Sequence, residues 1–171
     1  MLVLKENRIS FIQAAIVLVI ILAEIFLFRK VLMNAYIPSE SMEPTFTEGM
    51  RLIATREDKV GRGDVIIFRF PGDPSVHYIK RVIGLPGDTV EIKEDGVYVN
   101  GETLEEPYLK ERMKVQDEQI FVVPEDSYFL MGDNRNNSYD SRAWKEPYVD
   151  KKYVEGHPRL VYWPLSKAGA I

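Results

Sequence analysis

Val76-His77-Tyr78-Ile79-Lys80-Arg81-Val82-Ile83-Gly84-Leu85-Pro86-Gly87-Asp88-Thr89-Val90-Glu91-Ile92-Lys93-Glu94-Asp95-Gly96-Val97-Tyr98-Val99-Asn100-Gly101 is the stretch that decides the fold of this chain. Val76 to Ile83 is rich in β-branched and aromatic residues and runs into Pro86-Gly87-Asp88, a turn. Val90 and Ile92 then alternate with Glu91 and Lys93, the two-residue period of a half-buried strand. Asp95-Gly96 turns the chain into Val97-Tyr98-Val99, and Asn100-Gly101 is the strongest hairpin signal present. Short apolar runs with turns this close together read as antiparallel sheet.

The flanks continue the pattern. Met50 to Ala54 is apolar around Arg51, and Gly61 and Gly63 mark a turn before Val65-Ile66-Ile67-Phe68, a buried strand. Pro71-Gly72-Asp73-Pro74 reads as a loop, and residues 105–118 are polar, a loop or a helix-tolerant segment. Gln119 to Val123 and Tyr128 to Met131 complete the strand set. The expectation is a mainly β, antiparallel domain without internal repeats, preceded by one N-terminal transmembrane helix.

That helix is read from Phe11 to Phe28, an apolar run broken by Gln13 and Glu24, with Val31 to Met33 in reserve. Its length as a helix is about 27 Å, against a hydrocarbon core of about 30 Å. A cleaved secretory signal would be shorter and end in a small-x-small site; Met33-Asn34-Ala35 is a poor one. The expected division is an N-terminal cytoplasmic segment at 1–10, a membrane helix at 11–33 and an extracytoplasmic domain at 34–171. Charge encodes orientation weakly: Lys5 and Arg8 precede the run, and Arg29 and Lys30 follow it. Glu24 would cost about 2.5–3.5 kcal/mol at mid-bilayer, but it lies near one end and can snorkel.

The 171 residues leave one ordinary domain after the anchor, and 46% hydrophobic content suffices for its core. A net charge of −4 disfavours a nucleic-acid partner. The chain has no Cys, which excludes disulfides, zinc-thiolate sites and a cysteine nucleophile.

Ser41 lies just beyond the apolar run, in Ile37-Pro38-Ser39-Glu40-Ser41-Met42-Glu43-Pro44-Thr45. A serine hydroxyl is a weak nucleophile until a base takes its proton. Candidate bases are Lys80, His77 and His157. On an extended strand Lys80 shares a face with Tyr78 and Val82, and His77 points the opposite way. His157 sits in Gly156-His157-Pro158, read as a turn on the surface. Lysine is a base only when neutral, and lowering its pKa to about 7–8 requires burial. Tyr78, Val82, Ile83 and Leu85 could supply the apolar surroundings. On spacing alone, Lys80 is equally a strand lysine with its ammonium in water, and Ser39 to Ser41 an ordinary turn.

A further block, Met131-Gly132-Asp133-Asn134-Arg135-Asn136-Asn137-Ser138-Tyr139-Asp140-Ser141-Arg142, is dense in small polar residues. Read alone it is either a polar turn with a surface Asp-Arg pair or a shell that fixes catalytic groups.

Together these blocks resemble bacterial type I signal peptidases of the compact Gram-positive type. The resemblance spans the anchor, Pro38-Ser39-x-Ser41-Met42-x-Pro44-Thr45, Gly63-Asp64-Val65, Lys80-Arg81 with Gly84-x-Pro86-Gly87-Asp88, and Gly132-Asp133-Asn134 to Ser138-x-Asp140-Ser141-Arg142. It implies Ser41 as nucleophile, Lys80 as general base, Ser39 joining the Ser41 N–H in the oxyanion hole, and Ser138 orienting the lysine. It also implies a structural ion pair of Asp140 and Arg142 with Asp133 and Arg135 nearby, and small substrate pockets at Ile37, Pro38 and Ile79. Glu40 and Asn136 depart from the Gly and Asp often found there.

The activity implied is removal of N-terminal signal peptides from secretory preproteins after an Ala-x-Ala-like site. The partners implied are those preproteins and the lipid bilayer, beside the export channel; no nucleic acid, metal or cofactor is expected. Two rivals stand beside this reading. Self-cleaving phage-type repressors use a similar Ser-Lys core but carry a DNA-binding domain where this chain has an apolar helix. A tethered binding module that had lost activity would be expected to lack Ser41 or Lys80.

Overall fold

The apolar run forms α1 (Phe11–Val31) in a computed structural model that describes residues 11–57 and 59–171. Residues 1–10, with Lys5 and Arg8, lie outside the described residues. None of the apolar window of α1 is buried against the rest of the protein. The helix stops two residues short of the expected membrane segment, because Leu32 and Met33 begin a strand paired with Thr55 and Ala54.

The strands that follow are β1 (Leu32–Tyr36), β2 (Arg51–Thr55), β3 (Val65–Phe70), β4 (Asp73–Gly84), β5 (Thr89–Lys93) and β6 (Gly96–Val99). After them come β7 (Glu102–Thr103), β8 (Gln119–Val122), β9 (Ser127–Met131), β10 (Val149–Asp150), β11 (Val154–Trp163) and β12 (Gly169–Ala170). The larger sheet has the order β1-β2-β11-β3-β4-β9-β10, with β12 beside β11, and the smaller one β7-β6-β5-β8. Pairing is antiparallel throughout the described residues.

Residues 105–118 carry neither helix nor strand, the loop of the two readings open for them. Two readings change. The loop at Pro71 is shorter than expected, since β4 begins at Asp73. Gly156-His157-Pro158 is not a surface turn: it lies within β11, where His157 pairs with Thr55 and is buried. The physical reason is a bend. The first residues of β11 pair with β3 (Val154 with Phe68, Gly156 with Ile67), and from His157 onward it pairs with β2. At the crossover a side chain on Gly156 would collide with the Thr55 carbonyl, so only glycine fits.

Alternation along β4 and β9 builds two cores at once. Ile83, Phe129 and Met131 join Val90, Ile92, Val97 and Val99, which fastens the small sheet to the large one. Their sequence neighbours Val82, Tyr128 and Leu130 point the other way and pack with Ile66, Phe68 and Trp144. A third cluster, Ile37, Met42, Phe46, Met50, Leu52 and Val161, lies next to Ser41 in the chain. Burying each such side chain stabilises the fold by about 1.5–3 kcal/mol.

Candidate active site

Ser41 is presented by a single 3-10 turn, Glu40–Met42, just after β1. Ile37 and Met42, on either side of it, are buried in the third core and pin the turn in place. The far side is held by the polar block after β9. Asn134 N–H donates to the Ser41 carbonyl at 3.1 Å, and Asn134 Nδ2 donates to the Glu40 carbonyl at 3.2 Å. Gly132 lies against the same carbonyl: a side chain there would approach both Ser41 O and Ser138 Oγ closer than 3.0 Å.

Lys80 reaches this turn from β4, where it pairs with Ile66 of β3. It is 4% exposed, and its Nζ lies 2.6 Å from Ser41 Oγ. Burial lowers the Lys80 pKa to about 8; the carboxylates of Asp140 and Asp133 push it back up, and Arg142 helps to lower it. Tyr78 stands on the same side as Lys80, its ring centroid 5.7 Å from Nζ. His77 is exposed on the outer part of β4. Ser39 Oγ is 3.3 Å from Ser41 Oγ.

The expected supporting residues gather here, with one difference of detail. Asp140 is fully buried, bound at 2.8 Å by both Nε and Nη2 of Arg142, and accepts from the Gly132 N–H at 2.9 Å. Burial pushes its carboxyl up, but Arg142 outweighs this and holds it below the usual carboxylate range. Asp133 is paired with Arg81: Nε and Nη2 donate at 2.8 and 2.6 Å, and Thr45 Oγ1 adds a bond at 2.5 Å. Arg135 pairs with Glu106 and donates to the Gly132 carbonyl at 3.1 Å. Ser138 Oγ is buried and makes no hydrogen bond, so the expected bond to Lys80 is not formed. Ser138 leans on Gly132 and faces Asp140, whose pKa it lowers weakly without reaching hydrogen-bond geometry.

An open cleft of about 600 Å³ adjoins the Ser41–Lys80 contact. Ile37, Pro38 and Ile79 line it, together with Ser39, Ser41, Lys80, Ala35, Val76 and Tyr139. Arg81, Thr45, Glu106 and Tyr108 were not singled out as site residues by sequence. Arg81 and Thr45 left a trace, as members of the quoted motifs.

Residues 8–163 match the family described as signal peptidase, peptidase S26. The chain belongs to this family. Among its relatives, signal peptidase I P of Bacillus subtilis subsp. natto is 39% identical over 177 residues, covering 95% of this chain and 93% of that one. Signal peptidase I of Bacillus licheniformis is 40% identical over 179 residues, with the same two coverages. The crystal structure of a signal peptidase I from Enterococcus faecalis V583 is 35% identical, with a TM-score of 0.50. It aligns with 58% of this chain and 96% of its own. This member of the signal peptidase family is therefore a serine peptidase, a hydrolase of the signal peptidase I kind.

Proposed function

We propose that this peptidase is a membrane-anchored endopeptidase that cuts signal peptides from exported preproteins with a Ser41–Lys80 dyad. The observation that carries the reading is the 2.6 Å approach of a buried lysine amine to a serine hydroxyl at the wall of a cleft.

The proposed steps balance as follows. The cleavage segment of the preprotein lies extended in the cleft. β1, the edge strand whose Ala35 and Tyr36 line it, offers main-chain groups for strand addition. Ile37, Pro38 and Ile79 form small apolar pockets that select Ala-like side chains before the scissile bond. Neutral Lys80 takes the Ser41 proton, and Oγ attacks the scissile carbonyl. The Ser41 N–H and the Ser39 hydroxyl hold the oxyanion, a donor being worth about 2.7–4 kcal/mol in other hydrolases. The Lys80 ammonium then gives its proton to the leaving amine. Water, deprotonated by Lys80, releases the acyl group from Ser41. Asp133, Arg135, Asp140 and Arg142 hold the loop that supports Ser41, and the buried, unbonded Ser138 hydroxyl is the group that orients the amine during the reaction.

The 21-residue helix α1 would span about 31 Å, the thickness of a bilayer core. With the N-terminus inside and the β domain outside, it keeps the dyad at the surface from which signal peptides emerge, beside the export channel. The test is N-terminal sequencing of a coexpressed preprotein. Wild-type protein yields the mature N-terminus, and Ser41→Ala or Lys80→Ala yields only precursor. Normal processing by Lys80→Ala would overturn the dyad.

A further inference from the structure

Residues 104–118 have no regular secondary structure, yet two of their side chains sit beneath the catalytic loop. Glu106 binds both terminal nitrogens of Arg135, in a pair whose side chains are 9% and 1% exposed. Tyr108 donates its hydroxyl to Glu106 Oε1 at 2.9 Å. Its ring centroid lies 3.9 Å from Cζ of Arg81 and 6.0 Å from Cζ of Arg135, so one aromatic ring serves two cations. Both arginines lead to the dyad. Arg135 holds the carbonyl of Gly132, the residue packed on the Ser41 carbonyl. Arg81 neutralises Asp133, one of two carboxylates that bear on Lys80.

We propose that Glu106 and Tyr108 are positioning residues for peptide cleavage, bracing Ser41 through Arg135 and setting the charge balance at Lys80 through Arg81. The inference rests on the dyad reading above. Buried ion pairs keep their geometry only while water is excluded and every partner stays in place. The Tyr108 ring covers the guanidinium of Arg81, whose side chain is 12% exposed. Without that ring, water competes for Arg81 and the Asp133 charge is less compensated.

The consequence has a definite sign. The charged groups bearing on Lys80 are Asp140 and Asp133, which favour its ammonium, and Arg142, which disfavours it; the Ser41 hydroxyl and the Tyr78 ring complete its surroundings. Weakening the Arg81–Asp133 pair strengthens the pull of Asp133 and raises the proton affinity of Lys80. If its pKa rises by about one unit from about 8, the neutral fraction at pH 7 falls roughly tenfold, whereas at pH 9.5 it changes less than about twofold.

The experiment is the pH dependence of kcat/KM for the full-length protein in detergent, with a fluorogenic signal-peptide substrate. Tyr108→Ala is expected to move the acid limb up by about one unit and to lower the pH 7 rate about tenfold. KM should stay within about twofold, and the rate should recover near pH 9.5. Tyr108→Leu, which fills the space without an aromatic face, gives the same shift and serves if the alanine variant folds poorly. Tyr108→Phe keeps the ring and the wild-type limb. Glu106→Gln lowers kcat with KM within about twofold.

Wild-type profiles for folded Tyr108→Ala and Tyr108→Leu, or a loss equal at every pH, would overturn the brace. An active Lys80→Ala would instead sink the dyad itself, so the two failures are distinguishable.

Discussion

Gly132→Ala is the sharpest test of how Ser41 is held. The φ of Gly132 is not positive, so alanine carries no backbone penalty there and the effect is purely steric. The new methyl would sit 2.6 Å from Ser138 Cβ, and closer still to Ser138 Oγ and the Ser41 carbonyl oxygen, whereas ordinary contact begins at 3.4 Å. Ser138 can rotate away. The Ser41 carbonyl is backbone, fixed by Asn134 N–H at 3.1 Å and by the buried Met42 beside it. The turn must therefore shift by roughly 1 Å, and misplacement of that size costs about 10²-fold in catalysis. Overpacking adds a stability loss of about 1–3 kcal/mol. The assay is kcat/KM of the full-length variant on a preprotein-derived peptide at saturating pH, with a thermal melt to confirm folding. A folded Gly132→Ala protein with more than about half of wild-type kcat/KM would refute the steric account.

Two further predictions follow from the same geometry. The wild-type rate should climb with pH through about 8, because the Lys80 pKa is lowered to that value by burial and the proposed dyad needs the neutral amine; a rate still rising steeply beyond pH 10 would contradict it. Gly156→Ala should lower the thermal midpoint, since its methyl would meet the Thr55 carbonyl where β11 bends, at a cost of about 1–3 kcal/mol or more; an unchanged melt would show that the bend tolerates a side chain.

What could be read from sequence was whatever a local pattern encodes. The alternation of Val90-Glu91-Ile92-Lys93 and the turn at Asp95-Gly96 announced one hairpin, and β5 and β6 pair as expected, Val90 opposite Val99; Asn100-Gly101 announced the next, and it joins β6 to β7. Ser41 and Lys80 were legible because residue type, apolar neighbours and resemblance agreed. β11 was missed although it joins β2 to β3. Gly156, Pro158 and two register shifts against β2 break its alternation, so no clean period survives to be read. β1 was missed at both ends: Leu32 and Met33 were absorbed into the apolar run before them, where composition does not change, and Asn34 to Tyr36 were too short a remainder to show a strand period. Glu106 and Tyr108 were invisible for another reason. Glu106 meets Arg135 29 residues away, and a charge in a polar segment looks the same whether it meets water or a buried arginine.

α1 ends without a linker. Val31 is followed at once by β1, and its carbonyl accepts from the Arg56 N–H of the adjoining chain at 2.7 Å. A lipid-embedded α1 would therefore act as a mooring with almost no slack. Ser41, ten positions further along, can stand no more than about 36 Å from the last helical turn even with the chain drawn taut. The working height of the blade above the lipid would then be a property of the fold itself, and the bond it reaches in each passing chain would be chosen partly by that height.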